Sequence, residues 1–224
     1  MSNTDSFVDE VTDAVRRDRL FAAFRKFGWI GVVVVVLIVG GAAWNEWQKS
    51  QAAARAQGFG DAALAAFDKT DAGERTAALA AIPTDADQKA IQALLLSGNP
   101  EGDKAARLAA LDGLIADTAQ PQVYRDLAVL RRVALAGAGQ PLADRRAALQ
   151  GVAVPGRSFR VLAEEQLAYL LIEEGQKDAA LTALIALVQD QEAPAGMRQR
   201  LGQVIVALGG VVPAPAVEAP AEAG

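Results

Sequence analysis

Cysteine and histidine are both absent from the 224 residues. The first absence excludes disulfides, thiolate nucleophiles, cysteine–metal sites and a lipoprotein-type lipid anchor. A cysteine-free chain suits either side of a membrane, so it selects no compartment. The second absence removes the commonest general base and the commonest metal ligand together. Aromatic residues make up only 5% and the net charge is −5. A mildly acidic chain without basic patches interleaved with stacking rings is a poor nucleic-acid binder. There is no Walker loop, no dinucleotide-binding glycine fingerprint and no nucleophile elbow. The sequence therefore assigns no residue a catalytic, cofactor-binding or metal-ligating role, and it does not read as an enzyme.

Alanine is abundant instead, at about a fifth of the chain, and the apolar fraction is 52%. Alanine is the strongest helix former but fills little core volume, which favours helices at close approach over a β-sandwich. No convincing run of alternating β-branched residues is present. The sequence predicts an all-α protein.

Seventeen positions from Phe27 to Ala43 carry no charge, and ten of them are Phe, Ile, Leu or Val. Extended through Trp47, a helix rising about 1.5 Å per residue spans roughly 30 Å, the thickness of a bilayer's hydrocarbon core. All three tryptophans border this run, Trp29 at its start and Trp44 and Trp47 at its end. On a helix they lie about 22–27 Å apart, at the depth of the two interfacial belts. Residues 27–47 are read as a transmembrane helix. Arg16, Arg17, Arg19, Arg25 and Lys26 precede it, whereas only Lys49 and Arg55 follow closely. The positive-inside rule then puts the N-terminus in the cytoplasm and the rest outside. Gly41-Ala42-Ala43 resembles a signal-peptidase site, but the segment before the span is long for an n-region and the apolar run exceeds the usual h-region. An uncleaved anchor is expected. In the leader, residues 1–26, Phe7, Val8, Val11, Val15, Leu20, Phe21 and Phe24 recur at roughly helical spacing. They read as an amphipathic helix on the cytoplasmic leaflet, or as a plain extension of the membrane helix.

Residues 48–210 form a series of alanine- and leucine-rich stretches separated by Gly, Pro, Asn and Asp. Four segments echo one another. Ala77-Ala78-Leu79 leads to Pro83, Ala109-Ala110-Leu111 to Pro121, Ala147-Ala148-Leu149 to Pro155, and Ala179-Ala180-Leu181 to Pro194. The prolines are 38, 34 and 39 residues apart and the leucines 32, 38 and 32. Such periods fit degenerate helix–turn–helix repeats of the tetratricopeptide type, about 34 residues each. In the clearest unit, Ser158 to Glu174 is one helix with Val161, Leu162, Leu167, Leu170 and Leu171 on its apolar side. Gly175-Gln176 is the turn, and Lys177 to Gln189 packs back through Ala180, Leu181, Leu184, Leu187 and Val188. A further helix, Pro194 to Leu208, caps the array with Met197, Leu201, Val204, Ile205 and Leu208. Thr84-Asp85-Ala86-Asp87 reads as a capping box opening a helix to Ser97. Residues 211–224 are Pro/Ala/Glu low complexity and are expected to be disordered.

The acidic groups Glu164-Glu165, Glu173-Glu174 and Asp85/Asp87 are the obvious places for carboxylate chemistry. Neighbouring acids on a helix point about 100° apart, so solvated helix faces account for them better. Arg157, Arg160, Arg198 and Arg200 either line a binding face or balance surface charge, and balance is the simpler reading.

Taken together, these parts resemble a known family: the tetratricopeptide-like ancillary subunit of the bacterial Sec translocon, in its α-proteobacterial branch. The resemblance is carried by Ser6-Phe7-Val8-Asp9-Glu10-Val11, Arg16-Arg17-Asp18-Arg19-Leu20-Phe21, Gly40-Gly41-Ala42-Ala43-Trp44, and the stretch from Ala193 to Arg200 through Ala207-Leu208-Gly209-Gly210. It covers nearly the whole chain except the tail. These motifs are architectural, so no functional residue is carried over. The resemblance implies a single-pass protein of the bacterial inner membrane with a periplasmic domain, acting as a scaffold or chaperone accessory of the translocon beside periplasmic chaperones. A structural or assembly subunit of another inner-membrane complex, respiratory or divisional, needs the same anchor and helical adaptor and is the alternative.

Overall fold

The computed structural model describes the backbone of residues 3–213 and the side chains of 29–213, residue 87 apart. The chain is 76% helical, with no strand among the described residues. The leader's apolar pattern and residues 214–224 of the tail lie outside the described residues.

The first helix, α1 (Asn3–Phe67), runs unbroken past residue 48, where the sequence predicts a domain boundary. Nothing between Trp47 and Gln57 stops a helix, and Ala52, Ala53, Ala54 and Ala56 propagate one. By its contacts the chain instead divides between Gly60 and Asp61. Within the first unit, residues 29–58 are all exposed. Exposure runs from 42% at Val33 to 69% at Leu37, so no part of the described chain covers this apolar surface. Among the described residues this is the one helix long and apolar enough to cross a membrane, and it lies near the N-terminus. The Trp44 and Trp47 rings adjoin, with centroids 5.2 Å apart.

The second unit continues with α2 (Ala72–Ala80), α3 (Ala86–Gly98), α4 (Lys104–Ala116), α5 (Gln122–Ala136), α6 (Leu142–Gln150), α7 (Arg160–Glu173), α8 (Lys177–Gln189) and α9 (Ala195–Ala207). A short 3₁₀ turn, Gly137–Gly139, follows α5. Aspartate or proline opens most of them. Asp71, Asp85 and Asp103 accept hydrogen bonds from the amides of Glu74, Gln88 and Ala106. Pro121, Pro141 and Pro194 stand at the N-caps of α5, α6 and α9. The capping box at α3 is one residue later than the sequence predicts. Asp85, not Thr84, is the cap, because Gln88 at the third helical position accepts in return, its Oε1 taking the Asp85 amide N–H. At the other end of α7, Gly175 has φ +74°. Its amide bonds Ile172 O while that of Gln176 bonds Leu171 O. This is a Schellman stop, which favours glycine because a Cβ is strained in the left-handed region.

Each helix packs chiefly on its neighbours in the chain, and the core is a series of three clusters. The first joins Ala90 and Leu94 of α3, Leu111 and Leu114 of α4, and Ala128 of α5. The next joins Leu130 and Val133 of α5, Leu149 of α6, and Ala163 and Leu170 of α7. The last joins Val161 and Ala168 of α7, Leu184 and Leu187 of α8, and Met197, Leu201 and Ile205 of α9. Helices α5 and α7 therefore each serve two cores with different residues.

The predicted echo maps onto this series with one correction. Leu79, Leu111 and Leu149 each occupy the eighth position of α2, α4 and α6, and all three are fully buried. In α8 the eighth residue is Leu184, also fully buried, whereas the predicted Leu181 is only partly buried. The Ala-Ala-Leu string is common enough in so alanine-rich a chain to recur three residues early; burial, not the tripeptide, defines the register. The last helices are placed close to prediction, α7 beginning two residues later than Ser158.

Candidate interaction surface

Of the acidic groups that the sequence assigns to solvated faces, Glu165, Glu173 and Glu174 are engaged between helices, which corrects that reading for them. Glu165 on α7 is only 4% exposed. Its two oxygens accept from Arg200 Nε and one terminal nitrogen on α9, both at 2.9 Å, and from Tyr169 Oη at 2.7 Å. Glu173 takes both terminal nitrogens of the buried Arg145, at 2.6 and 2.8 Å. Glu174 pairs with Arg146, and Glu164 with Arg160 at 2.9 Å. Arg160 also reaches Asp190 at 2.7 Å and Glu192 at 2.9 Å across the α7–α8 hairpin. Asp85 is spent as a helix cap. Alternation along one helix conveys only the local ones, Glu164–Arg160 and Glu165–Tyr169; the partners Arg145, Arg146 and Arg200 come from other helices.

The basic residues divide in the same way. Arg157 binds Asp126 at 2.7 Å, and Asp126 is 3% exposed and also accepts from Gln122. Arg160 and Arg200 are spent in the pairs above, whereas Arg198 stays exposed. Asp126, Arg145 and Tyr169 escape a reading of the sequence alone. The signal for the first two is charge complementarity at a separation shared with Glu165–Arg200: 31 residues for Asp126–Arg157, 28 for Arg145–Glu173 and 35 for Glu165–Arg200.

These pairs shift titration in consistent directions. Hydrogen bonding to Arg145 holds Glu173 below the ordinary carboxylate range, and Arg160 does the same for Asp190. The guanidiniums of Arg145, Arg160 and Arg200 move up, each mainly through its carboxylate bond. Burial, then the bond to Glu165, pushes Tyr169 up. For a carboxylate whose folded value is depressed, the stabilisation is present above its unfolded value, near 4, and is lost as pH falls toward the folded one. The urea midpoint is accordingly expected to be flat from about pH 7 to 5 and to fall below about pH 4. Arg160→Gln should lower the midpoint at neutral pH and make the acid drop shallower. An unchanged acid limb in that variant would remove Arg160 as its source.

Shallow clefts lie at the helix joints, about 310 Å³ among α3, α4 and α5 and about 260 Å³ among α5, α6 and α7. Among the described residues, no group of three or more acidic side chains is placed to hold a metal ion. Comparison of the chain with protein-family models, with curated proteins and with solved structures finds no match. Fold and surface thus define the class by themselves: an all-helical protein with one bare apolar N-terminal helix and serially packed helical hairpins. What such a surface offers chemically is shape and paired charge.

Proposed function

We propose that this chain is a single-pass protein of the bacterial inner membrane, N-terminus in the cytoplasm, whose outer domain is a degenerate tetratricopeptide-like scaffold serving the Sec translocon as a chaperone accessory. The observation that carries the anchor is the uncovered apolar run of 29–43 with tryptophans at both borders. Bare in water, so large an apolar stripe is an aggregation liability; in hydrocarbon it is the favourable state. The basic flank at 16–26 supports the orientation. Support for a repeat array comes from the fixed eighth-position leucine and from cores that share helices, since units of this kind stabilise one another only by stacking. A domain that follows a membrane helix in the same chain is confined to the neighbourhood of the bilayer. It then meets whatever emerges from a neighbouring channel at high effective concentration, so weak contacts suffice.

Two measurements test this. After carbonate extraction the protein should stay in the membrane pellet, and protease added to spheroplasts should digest the outer domain. Soluble protein with a new N-terminus near Trp44 would mean that the apolar run is a signal peptide. In-cell crosslinking from residues 61–210, read by mass spectrometry, should recover translocon subunits and a periplasmic folding factor. Recovery of respiratory or division subunits alone would move the protein to another inner-membrane complex.

A further inference from the structure

Two arginines of the outer domain share one cleft and face no carboxylate. Arg75, Arg132, Arg145, Arg146, Arg157, Arg160 and Arg200 each face a carboxylate. Arg107 on α4 and Arg131 on α5 instead donate to main-chain carbonyls at the end of α3. Arg131 bonds Leu94 O and Arg107 Nε bonds Ser97 O, both at 2.9 Å. Both arginines line the same cleft, the one of about 310 Å³ among α3, α4 and α5. Leu111, Ala134 and Leu135 give the cleft apolar walls, and no acidic side chain lines it. Lys104, one turn before Arg107, is also turned to a carbonyl, Ala136 O at 3.2 Å. In a chain of net charge −5, this is a cationic cleft against an acidic background.

The geometry points to a binding site for the free C-terminal carboxylate of a partner polypeptide whose last residue is apolar. A guanidinium carries five N–H donors; Arg131 gives one to Leu94 O and Arg107 gives one each to Ser97 O and Pro100 O, which leaves further donors for a carboxylate. Fixing the fork in advance removes part of the ordering cost of binding. The apolar walls choose among carboxylates. A C-terminal Leu, Val or Phe presents its carboxylate and its apolar side chain from one Cα, matching a cationic rim above an apolar floor. An aspartate or glutamate side chain ends in its carboxylate and has nothing for Leu135 to meet. The volume is at the low end of the range for small-ligand sites and holds a terminal residue or two. This inference rests on reading the domain as a polypeptide scaffold and adds the chemistry of what it holds.

The test is fluorescence anisotropy with the full chain in detergent micelles and a labelled octapeptide of glycine and serine ending in Leu-Leu with a free carboxylate. Saturable binding that weakens with added salt is expected. Amidating the same peptide should weaken it about tenfold or more, and so should the double variant Arg107→Gln/Arg131→Gln. Arg198→Gln, an exposed arginine outside the cleft, should leave it unchanged. Equal binding of acid and amide, or full affinity in the double variant, overturns the proposal. So does equal binding of an amidated peptide carrying an internal glutamate. Should the double variant lose its far-ultraviolet helical signal, the acid–amide comparison on the unaltered chain decides. Crosslinked partners recovered unchanged from the double variant would sink this site while leaving the scaffold reading standing.

Discussion

Leu184→Ala is expected to lower the unfolding free energy of the outer domain by about 2–5 kcal/mol, the range for truncating a fully buried leucine. Leu184 is 0% exposed and sits in the cluster that joins α7, α8 and α9. Its cluster also holds Leu187, Met197, Leu201 and Ile205, and how far these move into the vacated volume sets where in that range the loss falls. Urea unfolding followed by far-ultraviolet circular dichroism in micelles reads the change. Val206 is 62% exposed on α9, and Val206→Ala should cost less than about 0.5 kcal/mol. If Leu184→Ala costs no more than that control, the eighth position of α8 is not the core position, and the register shared with Leu79, Leu111 and Leu149 is wrong.

The second large effect is electrostatic. Arg200→Ala strands the Glu165 carboxylate, whose side chain is 5% exposed, with Tyr169 as its remaining partner. Breaking a fully buried pair costs about 3–5 kcal/mol. The Arg200 side chain is 51% exposed, so water already screens part of the interaction, and a loss of about 1–3 kcal/mol is expected. Pairing Arg200→Ala with Glu165→Gln should recover part of the loss, because a neutral amide tolerates the site better than a lone charge. A double-mutant cycle in urea measures the coupling. A loss below about 0.5 kcal/mol would make the pair an ordinary surface contact.

The helical class, the apolar run and the last two hairpins were legible because they are local. Periodicity, a glycine stop at Gly175 and prolines at Pro121 and Pro194 act within a few residues of where they stand. The end of α1 was less so, since helix formers at Ala52 to Ala56 carry the helix past the expected boundary. The register of α8 was misread because Ala-Ala-Leu names a composition, whereas burial at Leu184 depends on helices α7 and α9. The charge pairs were illegible for the same reason. Glu165 looks like an exposed acid until Arg200, 35 residues later, is folded against it. The arginines of the α3–α4–α5 cleft, 24 residues apart in the chain, are brought together only by the three-dimensional arrangement.

A helix that serves two cores cannot be removed without opening both. Cutting after Gln150 would take away α7 and strip Leu130 and Val133 of the Ala163 and Leu170 that complete their cluster. Cutting before Arg160 would leave Ala163 and Leu170 bare on the C-terminal piece. The array thus has no clean internal seam, although its loops are short and regularly spaced. Fragments made to map binding inherit a sticky apolar end wherever they stop, and their apparent partners would include one another. Point substitutions in the intact chain are the sounder way to dissect this surface.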